Sequence, residues 1–106
     1  MQMVPTGYVH LGQLDGLIKS TLSSLRPEVA NVAYRVALDS TDVPSIFFRI
    51  LLVDEYIREE TLADLTGRIG AILREAVGPL ENWGLRPYFN FRSKSGQDQR
   101  RDPDWE

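Results

Sequence analysis

The sequence predicts an α+β fold: a two-layer sandwich in the order α-β-β-α-β, with a three-stranded, mainly antiparallel sheet and two helices on one face. Three observations carry this. Ile46 to Val53 holds seven apolar residues in eight, rich in β-branched and aromatic types, with Arg49 the only charge. Both alternating faces are apolar, which is how a strand covered on two sides reads. Residues 32–38 alternate with period two, and a turn joins the two runs. Finally, two stretches repeat apolar residues at helical spacing, and each needs a sheet face to bury its stripe.

Residues 1–8 read as an extended lead, since Pro5 and Gly7 oppose an early helix. From His10 to Leu25, Leu11, Leu14, Ile18, Leu22 and Leu25 recur at three- and four-residue steps, an amphipathic helix stopped by Pro27. Val32, Tyr34, Val36 and Leu38 then share one strand face. Residues 39–44 (Asp-Ser-Thr-Asp-Val-Pro) supply turn chemistry before the central strand, Ser45–Val53, so residues 32–53 form an antiparallel hairpin. Leu62, Leu65, Ile69, Ile72, Leu73 and Ala76 make the stripe of a second helix over residues 59–77, ended by Gly78-Pro79. Trp83 lies in a connection. Leu85 to Arg92 is the third strand, and Pro87, which has no N–H to donate, places it at an edge. Residues 1–93 therefore form one α+β domain, and residues 94–106 a polar, mobile tail.

Two helices cover one face of a three-stranded sheet and leave the other bare. Phe47, Leu51 and Val53 fall on that bare side with Arg35, Arg49, Tyr88 and Arg92. An apolar stripe with arginines around it marks an interaction face. The expected role is that of a small non-enzymatic interaction or assembly domain, a homodimer through this face or an edge strand. Trp105, costly to leave in water, is the expected anchor of the tail on its own domain, a second subunit or a larger partner.

Composition narrows the alternatives. A net charge of −3 over 106 residues argues against a dedicated duplex nucleic-acid binder. With no cysteine and one histidine, no thiolate metal site or cysteine nucleophile exists, and a cytoplasmic address fits. No apolar run approaches the roughly 20 residues of a spanning helix, and the N-terminus lacks the pattern of a secretory signal. No P-loop, dinucleotide or hydrolase motif appears. Asp39 and Asp42 at the hairpin tip lie about 25 Å from Asp54 and Glu55, too far to share an ion or substrate. No catalytic, cofactor-binding or metal-binding residue is assigned.

Residues 67–70 (Gly-Arg-Ile-Gly) match the GxxG loop of KH domains, and the element order over about residues 11–92 resembles their type II arrangement and that of related ribosome-assembly factors. That resemblance implies single-stranded RNA binding, at this turn or on the bare sheet, where Phe47 and Tyr88 could stack bases beside Arg35, Arg49 and Arg92. The apolar spacing of Leu65, Ile69, Ile72 and Leu73 instead carries a helix straight through it. The order also resembles the cytoplasmic domains of cation-efflux transporters, whose histidine and carboxylate ligands this chain does not supply. A small-molecule-binding or enzymatic domain stands third.

Overall fold

The computed structural model describes residues 11–105. The lead over residues 1–8 and His10 lie outside the described residues. The elements run α1 (Leu11–Leu25), β1 (Val29–Leu38), β2 (Pro44–Leu52), α2 (Leu62–Val77), α3 (Pro79–Trp83), β3 (Arg86–Ser93) and α4 (Lys94–Arg100). Short 3-10 turns occupy Asp54–Tyr56, Glu59–Thr61 and Pro103–Trp105. The α-β-β-α-β order stands, with α3 and α4 added to it.

The sheet order is β1-β2-β3, so the most apolar strand is central. β1 pairs antiparallel with β2. β3 pairs parallel, because α2 and α3 carry the chain back to the end where β2 began. One register shift interrupts β1 between Val29 and Asn31. Pro87 sits on the edge strand, as its missing donor requires.

Alternation along β2 sorts its side chains. Ile46, Phe48, Ile50 and Leu52 point to the helices and are fully buried, each contributing about 1.5–3 kcal/mol. Tyr34 and Phe89 flank Phe48 in register, and the Phe48 and Phe89 rings stack at 5.3 Å. Leu14, Ile18 and Leu25 of α1 and Leu65, Ile69, Leu73 and Val77 of α2 close this core from above. α1 turns Thr21 inward, its hydroxyl donating to the Leu17 carbonyl at 2.6 Å, while Leu22 is only half-buried. On α2 the stripe is tilted from the expected one: Val77 is buried, whereas Leu62 and Ala76 are exposed. Among the described residues, no buried side-chain nitrogen or oxygen lacks a partner.

The junction after α2 explains α3. Gly78 takes a left-handed conformation (φ +57°) and its N–H bonds the Arg74 carbonyl at 2.8 Å, closing the helix. Pro79 opens the next turn, where its lost donor is harmless. Trp83 is thereby turned into the core, its indole N–H donating to the Val77 carbonyl at 3.2 Å.

The C-terminal stretch differs from the polar tail expected from composition. Ser93 caps α4 by accepting from the Gly96 N–H at 3.0 Å, and a turn at Arg101 (φ +55°) sends the chain back across the sheet. Trp105 ends there at 7% exposure.

Candidate interaction face

The side of the sheet away from α1 and α2 carries Asn31, Ala33, Arg35 and Ala37 from β1, Phe47, Arg49 and Leu51 from β2, and Tyr88, Asn90 and Arg92 from β3. Register places Phe47 between Arg35 and Tyr88, and Leu51 between Asn31 and Arg92. Val53 follows the strand, half-buried, with its N–H on the Glu28 carbonyl at 2.8 Å. The structure divides these residues between two ends of one surface.

At the Leu51 end, α4 and the 3-10 turn form a cover. Leu51 is 3% exposed beneath it. Arg92 is the latch. Its guanidinium donates to the Gln97 side-chain carbonyl at 2.8 Å, lies 3.6 Å from the Asp102 carboxylate, and stacks 4.3 Å from the Trp105 ring. Gln97, itself buried, donates to the Asp102 carbonyl at 2.6 Å. On the outer side, Asp54 accepts the Ser95 amide at 3.0 Å and the Ser95 hydroxyl. These two donors hold the Asp54 carboxyl below its ordinary range.

The Phe47 end is uncovered. Phe47 and Tyr88 stack with centroids 5.1 Å apart and planes within 10°. Arg35 is exposed and Arg49 half-buried, and among the described residues neither makes an ion pair. With Ala37 and Leu38 they line a shallow depression of about 230 Å3. Leu38, at 55% exposure, is among the most exposed large apolar side chains.

The hairpin tip fixes the position of Tyr88. Asp39 accepts the Thr41 N–H at 2.8 Å and the Val43 N–H at 3.0 Å, an Asx turn that lets Asp42 adopt φ +61°. The other Asp39 oxygen accepts the Tyr88 hydroxyl at 2.7 Å, with Arg86 at 3.3 Å. The Tyr88 hydroxyl, then the Thr41 hydroxyl and the Val43 amide, hold the Asp39 carboxyl well below the usual carboxylate range. Its side chain is 6% exposed. Asp39 is thus a clasp between the tip of one hairpin and the edge strand.

Of the residues singled out from the sequence, Arg35, Phe47, Arg49 and Tyr88 are brought together at one end of the face, Arg35 exposed and the other three half-buried, while Leu51, Arg92 and Trp105 are joined under the cover. Sequence reasoning missed Gln97, Asp102 and the bond between Asp39 and Tyr88; it placed Asp39 in the turn, but no local pattern reports a partner on β3. The Gly67–Gly70 tetrapeptide is uninterrupted helix inside α2. Ile69 is fully buried, and Gly70 lies against the Phe89 ring, so no loop is present there to meet a phosphate. No group of three or more potential metal-ligating side chains occurs among the described residues, and no helix among them is long and apolar enough to cross a membrane. Comparison with known protein families, curated proteins and solved structures finds no match.

Proposed function

We propose that the protein is a non-enzymatic interaction domain that associates with a second copy of itself through the sheet face opposite α1 and α2. The observation that carries this reading is the Phe47–Tyr88 stack, set open on that face beside two arginines without ion pairs among the described residues. Aromatic rings and arginines are the side chains that anchor interfaces. The chain is net acidic, so a second copy can bring carboxylates to Arg35 and Arg49. The reading takes the protein as cytoplasmic, the compartment its lack of cysteine suits.

Light scattering over a concentration series from micromolar upward tests it. The expected result is a mass that climbs from monomer toward dimer, and that stays monomeric in Phe47→Asp, whose cooperative melt shows that it remains folded. A monomer mass at every concentration overturns the proposal. A second reading, a stacking platform for single-stranded RNA, draws on the same arginines and rings. Saturable, salt-sensitive binding of oligonucleotides that Phe47→Asp abolishes would favour it instead.

A further inference from the structure

We infer that the C-terminal segment, residues 94–105, is a displaceable cover that limits how strongly two copies associate through the sheet. This inference rests on the self-association reading and adds the device that governs it.

Area is the first argument. Three strands about 4.8 Å apart and a nine-residue β2 rising about 3.3 Å per residue give a face of roughly 430 Å2 in projection. The uncovered Phe47 end is about half of that, far below the roughly 800 Å2 per partner of a stable complex. With the cover lifted, the whole face comes within reach of the smaller, transient class of interfaces.

The composition of the cover is the second. From Lys94 to Trp105 its only apolar side chains are Pro103 and Trp105, and Pro103 is exposed. The segment is held by one ring and by polar contacts converging on Arg92, with the Asp54–Ser95 pair outside. A depression of about 680 Å3 is lined mostly by the segment's own side chains, Lys94, Gln97, Asp98, Arg101, Pro103 and Trp105, and meets the sheet at Asn31 and Leu51. What the segment shields is apolar: Leu51, two residues along β2 from Arg49 and on the same side as Phe47. Lifting the cover joins Leu51 to the Phe47–Tyr88 stack as one continuous surface. The close of β3 at Ser93, immediately before Lys94, is the point from which the segment would swing.

The test compares three full-length chains in sedimentation equilibrium: the native protein, the double variant Trp105→Ala/Asp102→Ala, which removes two of the Arg92 contacts, and Ser95→Ala, which loosens the outer one. Ser95→Ala alters an exposed hydroxyl, so it keeps the proposal testable should the double variant fold poorly. The expected result is that the association midpoint falls by about tenfold or more in the double variant, tenfold being the lower end of what a buried leucine-sized side chain contributes. Ser95→Ala is expected to shift it in the same direction by less. Adding Phe47→Asp should abolish association in both. Association of the native chain with an unmoved midpoint in either folded variant overturns the cover and leaves the self-association reading standing. Monomers throughout overturn both.

Discussion

Replacing Trp105 by alanine measures how much the C-terminal segment contributes to the folded state. The ring is 7% exposed and stacked on Arg92. A tryptophan buries about 150–250 Å2, which at about 25 cal/mol per Å2 corresponds to about 4–6 kcal/mol, and the cation–π contact adds about 0.5–1 kcal/mol. That sum is the loss if the segment stays docked. A segment with a single large apolar side chain has the alternative of releasing. Each residue freed recovers about 1–2 kcal/mol of backbone entropy, so the measured change is the net contribution of the segment rather than the gross contact energy. We expect a loss of about 1–3 kcal/mol, or a fall in Tm of about 5–20 °C for a domain of this size. Thermal melts followed by circular dichroism at low micromolar concentration, where association contributes little, provide the assay. Trp105→Phe should recover part of the loss, and Arg92→Met should reproduce a fraction of it. A Tm within about 2 °C of the native value in Trp105→Ala would refute the reasoning, because it would mean the ring is not part of the cooperative unit.

Two further outcomes follow from the clasp and from α2. Asp39→Asn should destabilise the protein at pH 7, and the gap to the native chain should close as the pH falls. The sign is fixed by the depressed carboxyl: its contribution is complete above the unfolded value near 4 and is lost as protons bind the folded carboxylate at lower pH. Melts from pH 7 down to pH 2 check this, and a gap independent of pH would contradict it. Gly67→Ala should stabilise by about 0.5–1 kcal/mol in urea titrations, since Gly67 is helical and nothing lies within 4 Å of an added Cβ. A loss instead would mean that the glycine serves a local conformation other than helix.

The layer next to the helices was legible because burial there obeys simple periods. The two-sided apolar run fixed β2, its alternation divided the side chains correctly between faces, and Pro87 marked the edge. Register and strand order were not legible, since both depend on how the elements dock. Spacing alone overestimated Leu62 and Ala76 and overlooked Val77: the buried stripe of α2 runs at four-residue steps through Leu65, Ile69, Leu73 and Val77. The C-terminal cover escaped for a different reason. α4 has no apolar stripe and contains Gly96; it exists because Ser93 caps it and because Arg92, on the preceding strand, receives Gln97, Asp102 and Trp105. Such a helix is specified by contacts across the fold rather than by its own pattern. The face expected to be bare is therefore partly covered by the chain itself: Leu51 is buried beneath the C-terminal segment, while Phe47 and Tyr88 are half-buried.

Pro87 has a consequence for the geometry of any assembly. A proline leaves the outer strand one donor short, which makes it a poorer template on which a neighbouring chain could extend the sheet. Growth by stacking strands sideways, the route to open-ended fibres, is discouraged at that border. A pairing through the flat side, as proposed, would be related by a twofold axis and complete at two molecules.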